Sequence, residues 1–345
     1  MKTPEAARRN DNRTASMKIK VIFKGSRPNS RQFEYKPGYV FTGDAACADY
    51  DWLVVFDEIP DKTTGTFHDG YETLACPREQ TILATWEPVS IKCYSRAYAA
   101  QFGHLLTNRP WSAERHRNYH LGRGYYRWLN DRSYDENRDA VIPEKNLVVS
   151  AVCSAKAMKW TKHFARIQIL KKLVAEVPGA DWFGHDVRSF GKKFEVLDPY
   201  KYHVALENHI DNHYWTEKIA DAFLCECLPF YAGAPDLADD FPAESFIPIP
   251  IDDPDEAIRI IKESIANDEF SKRREAVLES KRLILEKYNF WQQTIDVIES
   301  AKDQKTTPPN PAKPVKIWSR KKIRARNPLA ALEAGLFHLR QYLPR

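Results

Sequence analysis

The stretch that decides the fold is a run of apolar segments with polar ends, in the second half of the chain. It consists of Tyr200-Lys-Tyr-His-Val-Ala-Leu-Glu-Asn208, Asp211-Asn-His-Tyr-Trp-Thr-Glu-Lys218, Cys227-Leu-Pro-Phe-Tyr-Ala-Gly-Ala-Pro235 and Ala243-Glu-Ser-Phe-Ile247. Residues 202–207 and 228–231 are predicted as buried strands, and residues 215–226 as a helix between them. This order is typical of an α/β domain with a parallel sheet.

The ends of these predicted elements carry the polar groups of a possible site. The first strand ends at Glu207 and Asn208, and the helix begins near Glu217 and Lys218. Free N–H groups and the dipole at a helix start favour phosphate, to which Lys218 would add charge and Tyr214 a hydroxyl. Glu217 could accept hydrogen bonds from ribose hydroxyls. The same residues also fit a capped helix with a solvated Glu-Lys pair, and the pattern alone does not decide between the two.

Working outward, the same alternation of strand and helix extends in both directions. Residues 146–152 are predicted as a strand, residues 181–184 as the start of the next unit, and residues 254–267 and 270–300 as helices. Residues 160–176 are predicted as a helix. The side chains expected to line one of its faces are Phe164, Ile167, Leu170, Leu173 and Val174.

The N-terminal half repeats the pattern with its own strands. Residues 18–23, 52–56 and 81–85 are apolar runs of strand length, and the polar stretch at 130–145 is the candidate link between two units. A chain of 345 residues fits two domains. We therefore predict two α/β domains with mostly parallel sheets and a ligand cleft at the carboxyl ends of their strands.

The predicted domain bounds follow from these breaks. Residues 1–16 are polar and form a disordered leader, residues 17–145 the N-terminal domain, and residues 146–300 the C-terminal domain. Residues 301–345 form a basic linker and tail.

The tail has a charge and an apolar pattern of its own. Residues 305–345 hold ten Lys/Arg and one Glu, a net charge of +9, which leaves about −4 on the rest of the +5 chain. Within 316–345 a densely basic stretch precedes five leucines at helical spacing, at positions 329, 332, 336, 339 and 343. This pattern favours an anionic membrane surface as partner. The alternative is docking of the helix on the protein itself. The leucines fit a membrane better than nucleic acid.

Composition and short motifs limit the metal sites, the cellular compartment and the membrane segments that can be expected. The six cysteines show no zinc-finger spacing and are expected to be free thiols in a reducing compartment. No signal peptide or membrane-spanning stretch is predicted. Asp49-Tyr-Asp51 matches the D-x-D pattern of metal-dependent glycosyltransferases, but it precedes an apolar run instead of following one, and we interpret it as a loop entering a strand.

The central run resembles the signature of family 10 glycosyltransferases, the α-1,3/1,4-fucosyltransferases. The shared pattern is an aromatic-Lys-aromatic strand, Phe-Glu-Asn, Tyr-x-Thr-Glu-Lys, x-Pro-x-x-x-Gly and Ser-Phe-Ile. Nearly fifty residues match in order and spacing, and weaker resemblance covers about 146–300. Leu206 departs from the pattern, since the family usually has Phe there. The resemblance implies the GT-B architecture, with two Rossmann-like domains facing a central cleft.

The resemblance also implies roles for particular residues. Asn208, Tyr214, Glu217 and Lys218 would bind a GDP-sugar, Glu207 would shape the site near the donor sugar, and Arg166 would contact the diphosphate. In the N-terminal half, Thr85-Trp-Glu-Pro-Val-Ser90 is similar to the family's Glu-x-Pro motif, which makes Glu87 the expected catalytic base. Asp57 and Glu58, after the preceding strand, are the alternatives.

The activity implied is inverting, metal-independent transfer of L-fucose from GDP-β-L-fucose to a glycan hydroxyl, O3 of N-acetylglucosamine or glucose. No cofactor or metal is expected. The partners expected are the donor and an oligosaccharide or glycolipid acceptor, with no nucleic acid. A bacterial-type enzyme of this family would be cytoplasmic, at the inner face of the membrane. The alternatives are another donor sugar in the same GDP site, or a non-catalytic glycan- or nucleotide-binding protein.

Overall fold

The structure is a computed structural model of the chain. It describes residues 16–23, 32–60, 69–85, 87, 91–108, 116–123, 128–154, 163–310 and 312–342. Apart from Ser16, the leader predicted at residues 1–16 lies outside these ranges, as does Leu343 of the predicted leucine series.

The N-terminal half forms a seven-stranded sheet. The elements in chain order are β1 (Met17–Phe23), β2 (Gln32–Lys36), β3 (Tyr39–Thr42), β4 (Trp52–Phe56), β5 (Tyr71–Thr73), β6 (Thr81–Ala84), α1 (Arg96–Ala99), β7 (His104–Thr107) and β8 (Tyr119–Leu121). The sheet order is β2-β3-β1-β4-β6-β7-β8, and β5 lies outside it. Each neighbouring pair is parallel except β2 and β3.

The centre of this sheet is covered on both faces. All five residues of β4 are buried, which explains why the run at 52–56 is continuously apolar. The strands predicted at 18–23, 52–56 and 81–85 are confirmed. The β2–β3 hairpin was not predicted, because β2 is an edge strand with three exposed residues. Gly38 between them has φ +88°, which side chains adopt at a cost.

The C-terminal half forms a second sheet, with five strands that all run parallel. Its elements are α2 (Tyr134–Arg138), β9 (Leu147–Val152), α3 (His163–Glu176), β10 (Ala180–Phe183), β11 (Tyr200–Leu206), α4 (Glu217–Leu224), β12 (Leu228–Ala232), β13 (Ile247–Pro248), α5 (Pro254–Ala266), α6 (Glu269–Lys272) and α7 (Arg274–Glu286). The order is β10-β9-β11-β12-β13. Two α/β units with mainly parallel sheets were predicted, and this prediction is confirmed.

One prediction about α3 needs correction. Phe164 and Val174 were expected on the buried face, but their side chains are exposed, whereas Ile169 is fully buried. Arg166 is also buried, although its charge fits a solvated face. The buried stripe therefore has an arginine at its N-terminal end, and this arginine belongs to the candidate site described below.

The helix predicted at 270–300 is broken, and its last part lies on the other domain. The backbone turns at Lys287, and α8 (Phe290–Ser300) starts at Asn289, whose side chain caps the new helix at Gln292 N. Phe290 lies 5.5 Å, ring to ring, from Phe56 of β4, and Ile298 is buried in the N-terminal core. By packing, α8 thus belongs with the N-terminal sheet, not with the domain predicted to end at residue 300.

The C-terminal tail docks on the N-terminal domain. It contains β14 (Lys316–Trp318), α9 (Arg320–Arg326) and α10 (Pro328–Tyr342), and β14 pairs antiparallel with β5. The alanine side of α10 is buried at Ala330 and Ala334. One face of the tail therefore docks on the protein itself, which is the alternative that the sequence left open. Among the described helices, none is both long and apolar enough to span a membrane.

A buried histidine in β11 predicts a specific acid sensitivity. His203 is 2% exposed, and its Nδ1 lies 2.9 Å from Ser150 Oγ. Burial, with the positive charges of Lys193 and Lys145, lowers its pKa to about 3. Below pH 6.5 the unfolded chain protonates this ring and the folded chain does not, so the free energy of unfolding falls between about pH 6.5 and 3, by up to about 1.4 kcal/mol per pH unit.

We expect His203→Asn, which keeps a polar group near Ser150, to show a shallower loss of stability over this window than the wild type. Urea unfolding at several pH values measures the slope. The matched control is His338→Asn, since His338 is exposed on α10. Equal slopes for His203→Asn and the wild type would contradict the assignment.

Candidate active site

The centre of the candidate site is a buried carboxylate at the carboxyl end of β11. Glu207 is fully buried, and its Oε1 accepts hydrogen bonds of 2.8 Å from the backbone N–H and the hydroxyl of Thr216. The Lys218 ammonium lies 3.2 Å from the other oxygen, Oε2. These contacts attach the start of α4 to the end of β11. Glu207 was expected to shape the site near the donor sugar, and these contacts show how it holds Thr216 and Lys218.

Lys218 carries the positive charge of this group. Its Nζ lies 2.9 Å from Thr216 Oγ1 and 3.0 Å from Glu217 Oε1. Burial works against the ammonium charge, but Glu207 and Glu217 outweigh it and raise the pKa of Lys218. Burial raises the pKa of Glu207, although Lys218 opposes the shift. Burial also acts to raise the pKa of Glu217, but the positive charges of Lys218 and Lys193 outweigh it and lower this pKa.

Two of the N–H groups at this helix start are already bonded within the protein. The Thr216 N–H donates to Glu207, and the Lys218 N–H donates to Thr216 Oγ1 at 3.4 Å. Thr216 is the N-cap of α4 and uses its side chain in this way. An anion here would therefore be bound by cationic side chains more than by these two N–H groups.

Arg166 is the second cation of the site, and its surroundings are unusual. It is 6% exposed, and its Nη2 lies 2.8 Å from Cys153 Sγ. Within the described residues, its Nε has no hydrogen-bond partner and no carboxylate lies within ion-pair distance. A buried cation without a counter-charge costs several kcal/mol, on the order of the penalty for breaking a buried ion pair. The site is therefore electrostatically incomplete unless an anion binds.

Arg166 and Lys218 line one pocket. It lies between the carboxyl ends of β9 and β11 and the starts of α3 and α4, and it also includes Lys193, which forms a 2.7 Å ion pair with Asp221. The other lining residues are Val152, Cys153, Leu170, His203, Val204, Ala205 and Leu206. Three cationic side chains thus lie around one small pocket, and of these Lys193 and Lys218 are paired with carboxylates.

Asn208 and Tyr214 lie on the loop between β11 and α4. Among the described residues, the buried Oδ1 of Asn208 has no hydrogen-bond partner. The ring of Tyr214 is buried, and it meets His209 edge-on with 5.5 Å between ring centroids. The loop thus holds a buried acceptor and a buried aromatic ring.

The glycine of the x-Pro-x-x-x-Gly motif, Gly233, is required because a side chain does not fit there. A Cβ at Gly233 would lie 1.9 Å from Tyr231 Oη and 2.7 Å from Glu207 Cγ. Tyr231 Oη in turn accepts a 2.9 Å hydrogen bond from the Ala234 N–H. Only glycine lets the chain pass this close to the buried Glu207.

Sequence reasoning missed an arginine that contacts this loop from the other domain. Arg123, after β8, contacts His213 and forms ion pairs of 3.6 Å with Asp236 and 3.3 Å with Asp240. Its backbone N–H donates to Gln293 of α8 at 2.8 Å. A lone arginine in a polar stretch carries no sequence signal for such a role.

On the N-terminal side, Glu87 follows β6. Of the motif at 85–90 the structure describes only Thr85 and Glu87. The Glu87 N–H donates to Tyr94 Oη at 3.4 Å. Glu87 thus lies at the carboxyl edge of the N-terminal sheet, where parallel α/β domains bind ligands.

The two alternative bases are ion-paired. Asp57 contacts Lys92 and the Tyr94 hydroxyl, and Glu58 lies 3.3 Å from Lys92 and 3.0 Å from Arg320. Burial and the positive charge of Arg320 lower the pKa of Lys92. The negative charge of Asp57 opposes this shift. We call Asp57, Glu58, Lys92 and Tyr94 the Lys92 cluster. Both carboxylates are thus already engaged by cations.

The D-x-D pattern lies at the opposite edge of the sheet. Asp51 Oδ2 accepts a 2.7 Å hydrogen bond from the Lys18 N–H, and Asp49 pairs with the Lys18 ammonium at 2.7 Å. Both acids precede β4, which confirms their interpretation as a loop entering a strand. Within the described ranges, no three His, Cys, Asp or Glu side chains come close enough to hold a metal ion.

Comparison with known proteins finds a family match for part of the chain. Residues 142–308 match the model of the C-terminal domain of glycosyltransferase family 10 (fucosyltransferase). The chain is 39% identical over 80 residues to alpha-(1,3)-fucosyltransferase FucT of Helicobacter pylori, which is 23% of this chain and 16% of that protein. The chain thus matches about one sixth of this curated relative.

Solved structures give the fold. A crystal structure of an alpha1,3-fucosyltransferase superposes with a TM-score of 0.51 at 17% identity, covering 88% of this chain and 94% of that one. Another, with GDP-fucose, has a TM-score of 0.48 at 14% identity, covering 89% and 95%. The first likeness shows the fold and confirms the predicted GT-B architecture. Residues 142–308, just under half of the chain, are thus similar to the C-terminal domain of glycosyltransferase family 10.

Proposed function

We propose that this protein is an inverting glycosyltransferase that moves L-fucose from GDP-β-L-fucose to a glycan hydroxyl without a metal ion. The observation that carries the proposal is the buried Arg166, which has no counter-charge among the described residues and shares a pocket with Lys218. A diphosphate would supply the missing negative charge. The family matched by residues 142–308 and the similarity to a fucosyltransferase support fucose as the sugar.

In the proposed reaction, Glu87 accepts the proton of the acceptor hydroxyl as its oxygen attacks the anomeric carbon. The bond from this carbon to the GDP oxygen breaks, and its electron pair stays on the diphosphate. The growing charge is stabilised by Arg166 and Lys218, whose side chains are already held in place. A single displacement inverts the anomeric configuration and yields an α-L-fucoside. Asn208, Tyr214 and Glu217 would hold the nucleotide.

The donor is tested by calorimetric titration of the full chain with GDP-fucose, GDP-mannose and UDP-galactose in the presence of EDTA. We expect GDP-fucose to bind most tightly. A preference for GDP-mannose would keep the site but change the sugar. Binding that requires a metal would contradict the metal-independent mechanism, and binding of none of the three would overturn the proposal.

Arg166 should act on the diphosphate and not on the nucleoside. We expect Arg166→Met to weaken GDP binding about tenfold to a hundredfold, since hydrogen bonds to charged groups contribute about 1.5–3 kcal/mol, and to leave guanosine binding unchanged. The control is Arg188→Met, since Arg188 is largely exposed and pairs with Asp181. An equal loss for GDP and guanosine would contradict a phosphate contact.

Glu87 is tested by its effect on turnover. We expect Glu87→Gln to lower kcat by at least a hundredfold and to leave the Kd for GDP-fucose within twofold, because a general base contributes about 10²–10⁴ to the rate. Rapid-quench assays with the donor saturating measure kcat. Glu58→Gln serves for comparison, because Glu58 is an ion-paired alternative. If only the Glu58 variant loses turnover, Glu58 is the base.

We further propose that the protein binds an anionic membrane through the exposed face of α10. Leu329, Leu332, Leu336 and Leu339 are each at least half exposed, on a helix whose alanine side is docked. The surrounding segment 305–345 carries a net charge of +9. An apolar stripe within a basic segment is complementary to anionic lipid.

We expect Leu332→Ser/Leu336→Ser to reduce binding to phosphatidylglycerol vesicles at least tenfold, since each inserted leucine contributes on the order of 1.5 kcal/mol. Co-sedimentation with phosphatidylglycerol and phosphatidylcholine vesicles measures this. Val141→Ser is the control, because Val141 is 92% exposed and far from the tail in sequence. Unchanged binding of the double variant, or equal binding to both lipids, would refute the membrane surface. A wild type that forms dimers through the leucines would refute it as well.

A further inference from the structure

The C-terminal tail reaches the N-terminal catalytic edge through one arginine. Arg320 is the first residue of α9, and Ser319 caps that helix. Arg320 Nε lies 3.0 Å from Glu58 Oε2, and its Nη1 donates to the backbone carbonyl of Cys93 at 2.8 Å. Both side chains of the ion pair are only 17% exposed, so water screens it less than a surface pair. The guanidinium therefore bridges the end of β4 and the segment before α1.

Both groups that Arg320 binds, Glu58 and the Cys93 carbonyl, are connected to Glu87 by further contacts. Cys93 precedes Tyr94 in the chain, and the Tyr94 hydroxyl accepts the hydrogen bond from the Glu87 N–H. Glu58 leads to the same hydroxyl through Lys92 and Asp57. Two short chains of contacts thus connect the tail to the backbone of the proposed base.

The tail is fixed in register at this point. β14 pairs with β5 immediately before Arg320, and the Ser319 N–H donates to the Gly70 carbonyl at 2.8 Å. The side chain of Gln101, after α1, bonds both the N–H and the carbonyl of Trp318, at 2.8 and 3.1 Å. Arg320 therefore extends from a paired strand and not from a free terminus.

Arg320 adds a second cation to the Lys92 cluster. Lys92 is paired with both Asp57 and Glu58, and Arg320 pairs with Glu58 from the tail. Asp57 also has φ +74°, a strained backbone for a residue with a side chain. Loss of Arg320 removes the bridge from Glu58 to the Cys93 carbonyl, which favours rearrangement of the segment that contacts Glu87.

We infer that Arg320 is a positioning residue for Glu87, and that β14 and α9 complete the acceptor side of the catalytic site. The inference rests on the proposed function, in which Glu87 is the base. It extends the role of the tail from docking to turnover. A base displaced by about 1 Å can cost on the order of a hundredfold in rate, so a modest shift is sufficient.

The test uses the full chain in solution without lipid, with GDP-fucose as donor and N-acetyllactosamine as a soluble acceptor. Attachment to a membrane then plays no part. We expect Arg320→Ala to lower kcat tenfold to a hundredfold, while the calorimetric Kd for GDP-fucose and the KM for the acceptor stay within about twofold. Arg320→Lys should recover part of kcat, since an ammonium can reach either Glu58 or the Cys93 carbonyl.

The matched control is Arg282→Ala. Arg282, like Arg320, bridges two groups, but these are Glu279 and Glu286 on the exposed face of α7 in the other domain. We expect it to keep wild-type kcat. Thermal unfolding of each variant separates a local effect from a general loss of the fold.

Should Arg320→Ala fail to fold, Glu58→Gln removes the same bridge from its other end and keeps the shape of the side chain. If both single variants fold, the double variant should be no slower than the slower single one, because both act through one bond. Turnover of Arg320→Ala equal to that of Arg282→Ala, or donor affinity that falls in parallel with kcat, would overturn the inference. A wild type that neither binds GDP-fucose nor transfers fucose would instead overturn the proposed function, and the inference with it.

Discussion

The hydrogen bonds from Thr216 to the buried carboxylate of Glu207 are the contacts on which the rest of the site depends. They join the carboxyl end of the central strand β11 to the first turn of α4. Lys218 then has a fixed position, since its ammonium is held by Glu207, Glu217 and the Thr216 hydroxyl. Burial makes these bonds strong and also makes them obligatory, because an unpaired carboxylate at this depth would be costly. The close approach of Gly233 to Glu207 follows from the same packing.

Arg166, in contrast to Lys218, has no carboxylate partner in the part of the chain that the structure describes. Its neighbour on one side is a thiol. Neighbouring cations, Lys193 and Lys218, are compensated by Asp221, Glu207 and Glu217. A pocket with one uncompensated buried guanidinium is prepared for a ligand that brings its own negative charge. This electrostatic asymmetry accounts for the direction of the proposed chemistry, in which charge grows on the leaving diphosphate and not on the sugar.

Much of this arrangement could be predicted from the sequence, and the reasons are specific. The central strands β4 and β11 are buried on both faces, so they are continuous apolar runs, and the motif around Lys218 has a fixed spacing along one strand and one helix. The failures occurred where tertiary contacts decide. Phe164 and Val174 are exposed although their spacing fits the buried face of α3, α8 breaks away at Asn289 to pack on the other sheet, and the short strand β14 exists only through its pairing with β5. Arg123 lies alone between two glycines, and Arg320 is one of several charges in a basic stretch. The roles of both depend on long-range neighbours that no local pattern records.

The measurement that tests the account most directly is a crystal structure of the protein with GDP-fucose bound. The account predicts that the diphosphate oxygens lie within about 3 Å of the guanidinium of Arg166 and of the Lys218 ammonium. Glu207 should keep its hydrogen bonds to Thr216, and Glu87 should face the anomeric carbon from the N-terminal side. A diphosphate bound away from both cations, with Arg166 still facing only the Cys153 thiol, would contradict the account.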